Sequence, residues 1–342
     1  MKAAYIESFG GPERLLFGER PRPEVGPGEV MVRVAASGVC HHDALTRKGV
    51  FPRTVLPVIL GHQAAGEVQA VGSEASRFRP GDRVLCMPVF GCGNCPYCEA
   101  GRQQLCRDAK FVGEEVQGAY AEFLTLPEHA WVAVPEGLPL ERAAVVACTL
   151  GTAYHAAKTV AKVVPGEKVV ITGASGGIGS HAIKVLKWLG AEVLAVTTSP
   201  EKVPFLRDLG ADEVVTAQDG AYSKAIKSHG GAAAVLDVVG GASIEEGLKS
   251  LNPGGRLVVI GNLSGQPVQL KPAVLILKEV SLLGTKGVTD QELREVLSLV
   301  SQGALQVVVG AELPLSGARE AHERLATRHT QGRIVLRPDL AL

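Results

Sequence analysis

The sequence predicts an α/β protein with two domains: a β-rich domain and a domain built on a doubly wound parallel sheet. With 342 residues, the chain is long enough for about two domains of ordinary size. Short strand patterns separated by glycine and proline turns dominate up to about residue 150. Beyond that point apolar runs alternate with helical stretches, which is typical of parallel strands joined by helical crossovers.

In the first part of the chain, strand patterns cover residues 30–34, 66–71 and 83–85. Such short segments, bounded by turn residues, predict antiparallel β structure with small insertions. The closing part holds a helical stretch at 290–302, a valine-rich strand and a last strand at 333–336. We expect this closing part to return to the first domain.

The second part of the chain alternates strands with helices. Its candidate strands are residues 168–172, 192–197, 213–215, 234–238, 256–260 and 280–283. Helical stretches, for example 178–189 and 201–209, lie between most of them. Six such strands suit a dinucleotide-binding sheet.

Composition excludes several classes of protein. Lys+Arg and Asp+Glu both number 35, so the chain lacks the positive charge that nucleic-acid binding requires. No apolar run reaches the length of a membrane span, and the N-terminus lacks the apolar core of a signal peptide. We therefore expect a cytoplasmic protein without a membrane partner. In that reducing compartment, an odd number of unevenly spaced cysteines indicates metal binding rather than disulfides.

A glycine-rich loop follows the strand at 168–172 and opens a helix. Its candidate contacts with a dinucleotide pyrophosphate are Gly176, Gly177, Ile178 and Gly179. Glycines allow the backbone to approach the phosphates, whose charge meets the amides of the helix N-terminus. Ala174 occupies the first glycine position of the usual pattern, which is a mild departure because alanine is nearly as small.

Cofactor choice is expected at the end of the second strand of this sheet. An acidic residue there would bind the ribose 2′-hydroxyl and repel a 2′-phosphate. This chain has Thr197, Thr198, Ser199 and Lys202 instead. The segment predicts a preference for NADP(H) over NAD(H), the alternative being a strand end that makes no selection.

Four cysteines follow the pattern C-x2-C-x2-C-x7-C: Cys92, Cys95, Cys98 and Cys106. Four thiolates at this spacing can close a tetrahedral shell around zinc and leave no open position. The motif predicts a structural zinc ion that holds a lobe at about 91–107, because this segment has little core of its own.

Several motifs together resemble the zinc-containing medium-chain dehydrogenase/reductase family, whose members include alcohol dehydrogenases. The resemblance covers essentially the full length, and its motifs are GVCHHD (38–43), GHQAAGEVQAVG (61–72), the four-cysteine lobe, the segment around Cys148 and ASGGIG (174–179). It implies a GroES-like catalytic domain formed by residues 1–150 and 287–342. Residues 151–286 would then form a Rossmann dinucleotide-binding domain.

The resemblance also implies a catalytic zinc site, which would make two zinc ions per chain. Cys40, His62 and Cys148 match the zinc ligands, and Asp43 matches a carboxylate that orients the His62 ring. His41 and Arg333 match family positions at the cofactor pyrophosphate. Asp237 is either near the nicotinamide ribose, as in the family, or a turn residue at a strand end, and Gly261 and Asn262 belong to a loop at the edge of the expected cleft.

Three positions depart from the family pattern. Gln63 replaces a glutamate, so no carboxylate at this position can reach the metal. His42 replaces a serine or threonine, and Leu45 replaces a histidine. The usual hydroxyl-to-histidine proton relay is therefore not carried by matching residues. His42 is either an acid/base group itself or a polar wall, with protons then passing through water.

These features leave three functional hypotheses for a small-molecule substrate. The first is a zinc-dependent enzyme that transfers hydride between a nicotinamide cofactor and an alcohol/carbonyl pair. The second, favoured by the departures, is an NADPH-dependent reductase of activated C=C bonds such as enoyl or acryloyl thioesters. The third is a non-catalytic cofactor-binding protein. The strand at 280–284 resembles the family's dimer edge, so a homodimer or homotetramer is expected.

Overall fold

Residues 1–327 and 330–340 are described in the computed structural model of the chain. Its strands are β1 (Lys2–Ile6), β2 (Leu16–Glu19), β3 (Glu29–Val39), β4 (Val58–Ile59), β5 (Ala64–Val71), β6 (Arg83–Cys86), β7 (Val89–Phe90), β8 (Lys110–Phe111), β9 (Phe123–Pro127), β10 (Trp131–Ala133), β11 (Lys168–Ile171), β12 (Glu192–Thr197), β13 (Glu213–Thr216), β14 (Ala232–Asp237), β15 (Leu251–Val259), β16 (Ser281–Gly284), β17 (Val309–Pro314) and β18 (Arg333–Arg337).

The α-helices alternate with these strands mainly in the second half of the chain. They are α1 (His41–Arg47), α2 (Pro96–Glu99), α3 (Leu140–Val146), α4 (Thr152–Tyr154), α5 (Gly177–Trp188), α6 (Val203–Asp208), α7 (Ser223–Ser228), α8 (Ala242–Ser250), α9 (Pro272–Lys278), α10 (Asp290–Ser301) and α11 (Ala318–Ala326). Wider π-helical turns at Ala147–Gly151 and His155–Val160 flank α4.

The chain divides into two compact units. The first comprises residues 1–148, 287–303 and 307–342, and the second comprises residues 149–286 and 304–306. Each unit has its own buried apolar clusters.

The first unit is built around β3, which pairs with β5, β9 and β18 in a seven-stranded sheet. Both faces of this sheet are covered, and one buried cluster contains Val32, Val68 and Trp131. Helix α3 packs against β3 and β5. This arrangement brings the C-terminal end of β3, the start of β5 and the end of α3 together.

The second unit is a six-stranded sheet with the order β13-β12-β11-β14-β15-β16, and all its pairs are parallel. The strand order reverses at β11, as in a doubly wound dinucleotide-binding fold. Its central strands are almost entirely apolar because helices cover both faces of such a sheet. The predicted α/β class with a doubly wound parallel sheet is confirmed.

Some local predictions need correction. The first unit is not wholly antiparallel, because β17 and β18 pair in parallel. Strand β15 begins at Leu251, earlier than the predicted residue 256, since its start pairs with the start of β14 across a register shift. The stretch 201–209 is divided into a 3-10 turn and the shorter helix α6. Within the described ranges, every helix is too short or too polar to span a lipid bilayer.

Candidate metal and cofactor sites

Cys40, His62 and Cys148 form one group in the first unit. Cys40 follows β3 and caps α1, His62 precedes β5, and Cys148 follows α3. Pairing of β3 with β5 and the packing of α3 bring the three residues together. Their possible ligand atoms all lie within 4.8 Å of one another, and Cys40 and His62 are buried.

The carboxylate of Asp43 determines which nitrogen of His62 faces the group. Nδ1 of His62 lies 2.6 Å from Oδ1 of Asp43, and Nε2 lies 3.3 Å from Sγ of Cys148. Oδ2 of Asp43 accepts hydrogen bonds from the Cys40 amide and the Tyr120 hydroxyl, both at 2.9 Å. A proton on Nδ1 leaves the lone pair of Nε2 for a metal ion.

The electrostatics of the group favour a thiolate. A hydrogen bond from Cys148 lowers the pKa of Cys40 well below its usual value, and the charge of Arg333 contributes against the effect of burial. The hydrogen bond with Cys40 raises the pKa of Cys148, as does burial. Burial acts to lower the pKa of His62, but the charge and hydrogen bond of Asp43 raise it to about 10.

The donor chemistry of this group fits zinc. Two sulfurs and one imidazole nitrogen are a known ligand set of catalytic zinc sites, which keep a fourth position open. Within the described ranges, the group has three members. The fully buried Gln63 places its Nε2 3.5 Å from Nε2 of His62, and its Oε1 has no hydrogen-bond partner in the described part of the chain. The side chain that lies beside Nε2 of His62 is therefore a neutral amide and not a carboxylate.

His42 is held in an aromatic stack beside the group. Its ring lies 4.4 Å from Phe51 and 4.0 Å from Phe111, both nearly parallel to it, and 5.3 Å from the ring of His62. Nε2 of His42 contacts Oε1 of the buried Glu114. The imidazole therefore has a fixed orientation.

The two predicted pyrophosphate contacts from this unit have different surroundings. Arg333 lies beside Cys40 because β18 pairs with the end of β3, and it is buried. Its Nη1 donates to the Val39 carbonyl, and its Nη2 lies 4.0 Å from Sγ of Cys148. Nε is buried and has no partner in the described ranges. His41 is the first residue of α1 and is half-buried.

The four cysteines at 92, 95, 98 and 106 lie together in the structure. Their sulfurs lie within 4.8 Å of one another. The Cys95–Cys98 and Cys92–Cys106 sulfur pairs are 3.6 Å apart. The buried apolar cluster beside them contains only Val89, Cys106 and Ala109. Cross-linking by a metal ion would therefore supply the rigidity that apolar packing does not.

In the second unit, the glycine loop connects β11 to α5. Gly173 has a positive φ of 58°, and Gly176 immediately precedes the first residue of α5. A Cβ atom on Gly179 would lie 2.3 Å from the Gly173 carbonyl oxygen and 2.6 Å from the Ala174 Cα. The loop and the helix therefore pack too closely for a side chain. Gly176, Gly177 and Ile178 are partly exposed, so their backbone can meet a ligand.

In the segment after β12, only some of the residues expected to set the preference between NADP(H) and NAD(H) are exposed. Thr198 is exposed and Ser199 is partly exposed. The Thr197 hydroxyl accepts a hydrogen bond from the Ser199 amide at 3.1 Å. Thr197 and Lys202 are buried.

Asp237 has a supporting role in the structure. It is fully buried, and it accepts hydrogen bonds from the Thr172 hydroxyl and from the Gly240 amide. Both carboxylate oxygens are thus engaged at the ends of β11 and β14. A Cβ atom on Gly261 would lie 2.1 Å from the Val238 carbonyl oxygen, and Asn262 caps its own loop through the Gly265 amide.

Sequence reasoning missed the surroundings of the three-residue group. Glu114 and Phe111 near His42, and Tyr120 behind Asp43, carry no local motif. Their hydrogen-bond partners lie 72 and 77 residues away in the chain. Only an argument about which strands pair could have pointed to them.

Comparison with known proteins identifies both units. A family model described as the alcohol dehydrogenase GroES-like domain matches residues 26–136, and one described as zinc-binding dehydrogenase matches residues 177–302.

Similar proteins match over nearly the full length. An acryloyl-coenzyme A reductase of Sulfurisphaera tokodaii is 35% identical over 321 residues, which cover 94% of this chain and 95% of that protein. An alcohol dehydrogenase of Geobacillus stearothermophilus is 34% identical over 344 residues, which cover 99% and 100%. The crystal structure of AibC has a TM-score of 0.92 at 43% identity and covers 99% and 96%. The chain therefore belongs to the zinc-containing medium-chain dehydrogenase/reductase family and is an oxidoreductase of the alcohol dehydrogenase/reductase type.

Proposed function

We propose that this protein is a zinc-dependent oxidoreductase that transfers hydride between NADP(H) and an alcohol/carbonyl pair. The observation that carries the proposal is the group of Cys40, His62 and Cys148 with Asp43 hydrogen-bonded to the far nitrogen of the imidazole. A zinc ion held by these three residues would supply a Lewis acid for the substrate oxygen.

The side chains around the group have separate tasks. Asp43 keeps the proton of His62 on Nδ1 and thereby presents Nε2. The charge of Arg333 acts to lower the pKa of both Cys40 and Cys148. In the second unit, the backbone of Gly176, Gly177 and Ile178 would bind the cofactor pyrophosphate. The nicotinamide would supply or accept the hydride.

Carbonyl reduction also needs a proton, and His42 is the imidazole that we place in this role. Its ring is fixed by Phe51, Phe111 and Glu114. We expect His42→Gln to lower the rate of carbonyl reduction about 100-fold, the lower end for loss of a general acid, while the zinc content is unchanged. An unchanged rate would assign His42 to the wall of the site, with water as the proton carrier.

A second candidate is reduction of activated C=C bonds. Leu45 offers no imidazole to a proton relay, and Nε2 of His42 is engaged with Glu114. The relatives from S. tokodaii and Metallosphaera sedula are both acryloyl-coenzyme A reductases, each 35% identical to this chain. Hydride delivery to a β-carbon depends less on an alcohol-oxygen relay.

One assay distinguishes the two reactions. NADPH oxidation is followed with a panel of aldehydes and ketones and, separately, with a panel of enoyl thioesters. Turnover of the first panel supports the main proposal, whereas turnover confined to thioesters supports the second. Cofactor binding without turnover on either panel would contradict both and favour a non-catalytic binding protein.

Zinc stoichiometry tests the metal part of the proposal. We expect about two zinc ions per purified chain, one for each ligand group. Cys40→Ala should lower the content to about one and abolish turnover. A wild-type content of one zinc ion, unchanged by Cys40→Ala, would refute the three-residue site.

The NADP(H) preference rests on the segment after β12, which offers Thr198 and Ser199 and lacks an acidic residue at the strand end. Dissociation constants of NADPH and NADH measured on the same preparation decide the question. Tighter binding of NADH by tenfold, equal to about 1.4 kcal/mol, would show that the segment does not select the phosphate.

We also propose that the protein is a homodimer or homotetramer. Strand β16 is an edge of the sheet in the second unit, and an unpaired edge can bind the same edge of a second copy. Next to it in the chain, Ile276 and Leu277 of α9 are 73% and 84% exposed. Burial of these side chains by a second copy would remove apolar surface from water.

A further inference from the structure

A second set of buried polar side chains extends behind Asp43 in the first unit. It consists of Tyr120, His322 and Arg47, which are 0%, 1% and 2% exposed. None of them lies in the short motifs named in the sequence analysis. Burial of three polar groups is unfavourable unless each is hydrogen-bonded, so their partners indicate why they are there.

The three side chains form a continuous chain of hydrogen bonds that ends at Asp43. Nη1 of Arg47 lies 3.0 Å from Nδ1 of His322. Nε2 of His322 lies 3.3 Å from the Tyr120 hydroxyl oxygen, which lies 2.9 Å from Oδ2 of Asp43. Nε of Arg47 donates to the Gly10 carbonyl at 3.2 Å.

The chemistry of Arg47 sets the direction of every bond in this chain. A guanidinium carries only donors, so it donates to Nδ1 of His322. Nδ1 is then an acceptor, and the proton of the neutral ring is on Nε2. Burial lowers the pKa of His322 to about 4 although the charge of Asp43 acts to raise it, which agrees with a neutral ring.

The same donor-to-acceptor order extends from His322 through Tyr120 and Asp43 to His62. Nε2–H of His322 donates to the Tyr120 oxygen, so the hydroxyl proton is free to point at Oδ2 of Asp43. Oδ2 then has two donors, the Tyr120 hydroxyl and the Cys40 amide. Oδ1 is left as the acceptor for Nδ1–H of His62.

Arg47 is unusual for a buried arginine. Within residues 1–327 and 330–340, the structure shows no ion pair between its guanidinium and a carboxylate. Burial lowers the pKa of Arg47, and the charges of Glu13, Tyr120 and Glu323 act to raise it. Its hydrogen bonds connect it to Asp43 through two neutral side chains.

We propose that Arg47, His322 and Tyr120 are remote positioning residues of the metal site, which act through Asp43 to hold His62 in the tautomer that presents Nε2. The inference rests on the proposed function in one respect, namely that His62 is a metal ligand. The chain of bonds keeps a proton on Nδ1 of His62, so that Nε2 is the nitrogen that gives up its proton to a metal ion.

The test uses the zinc-loaded full-length protein and measures zinc release to a coloured chelator. Tyr120→Phe keeps the ring and removes the hydroxyl. We expect the release rate of one zinc ion to rise about tenfold, the lower end of the effect of removing an outer-shell partner. Release of the zinc ion from the four cysteines should be unchanged, which makes that site an internal control. Tyr222→Phe, which removes a buried hydroxyl bonded to the Ser243 carbonyl in the other unit, is the matched variant and should release both ions at wild-type rates.

A double-mutant cycle separates action through the chain from general loss of stability. If Arg47 acts through Tyr120, Arg47→Met accelerates release in the wild type but has no additional effect in Tyr120→Phe. Arg47→Lys, which keeps a charged donor, should restore part of the wild-type rate. If Arg47→Met does not fold, zinc release is compared between Tyr120→Phe and the double variant Tyr120→Phe/Arg47→Lys. Equal release rates in these two proteins support action of Arg47 through Tyr120.

Cobalt substitution provides a spectroscopic readout that a purely structural role would not change. The visible absorption bands of Co²⁺ in the three-residue site should shift in Tyr120→Phe, since the orientation of His62 changes. Wild-type bands and wild-type release rates in Tyr120→Phe would overturn the inference. A wild-type protein that binds only one zinc ion would instead refute the proposed function.

Discussion

Two buried carboxylates, those of Asp43 and Asp237, each accept several hydrogen bonds from neighbouring groups. Asp43 accepts from His62, the Cys40 amide and Tyr120. Asp237 does the same for the loop after β14. In both places a buried carboxylate organises backbone and side chains that are remote in sequence, which is favourable because hydrogen bonds to charged groups are stronger than neutral ones.

Glu246 on α8 is a third carboxylate that accepts hydrogen bonds from backbone amides, here at the N-terminus of α7. Its effect on stability can be measured. Its Oε2 accepts from the amides of Tyr222 and Ser223, at 3.0 and 2.9 Å. Although burial acts to raise it, these bonds and Lys249 lower the pKa of Glu246 to about 2. Because the folded-state pKa lies below the unfolded one, the stabilisation is present above about pH 4.5 and is lost as the pH falls toward about 2.

We therefore expect Glu246→Gln to lower the free energy of unfolding by about 1.5–3 kcal/mol at neutral pH. The difference between wild type and variant should shrink as the pH falls through this window. Thermal unfolding of both proteins between pH 7 and pH 3 measures it. A difference that is the same at every pH would show that the charge of Glu246 does not stabilise the helix.

At the level of elements, the connection between β11 and α5 depends on the absence of a side chain at Gly179. In Gly179→Ala the new Cβ would overlap the backbone of Gly173 and Ala174. We expect a loss of stability of about 1–3 kcal/mol, as for other overpacked sites, even without cofactor.

The comparison variant is Gly176→Ala, whose Cβ would meet only the Gly173 oxygen, at 3.4 Å, and whose φ is −78°. It should leave the stability of the cofactor-free protein nearly unchanged while weakening NADPH binding. Thermal midpoints and NADPH titrations of both variants provide the readouts. Equal midpoints for the two variants would contradict the steric argument.

The four-cysteine lobe is the element that depends most on a metal ion. Cys95→Ala should remove one zinc ion and accelerate tryptic cleavage after the exposed Arg102 and Arg107, because the lobe has little apolar core. Cys86→Ala changes a buried cysteine outside both groups and serves as the control, with two zinc ions retained. An unchanged cleavage rate in Cys95→Ala would show that apolar packing suffices.

For the molecule as a whole, the proposed self-association is argued from the exposed apolar side chains of α9. We expect the wild type to sediment as a dimer or tetramer and Leu277→Glu to shift it toward smaller species. Val164→Glu alters an equally apolar residue that is 55% exposed elsewhere and should leave the assembly intact. A monomeric wild type would exclude this interface.

Much of the second unit could be predicted from local patterns. Strand β12 has the predicted limits, and β11 and β13 differ from theirs by one residue. Strands buried on both faces are continuous apolar runs, so they are recognisable without knowledge of their neighbours. The start of β15 was harder because Leu251 pairs with Ala232 across an irregular register, which no local pattern records.

The sequence by itself determined the chemistry of the ligands. Four cysteines within fifteen positions and a glycine loop between a strand and a helix are local patterns, and their spacing limits what they can bind. The tertiary structure alone decided which buried groups surround those ligands. The bond between Arg47 and His322 joins residues 275 positions apart, and such partners are brought together by strand pairing and helix packing rather than by spacing along the chain.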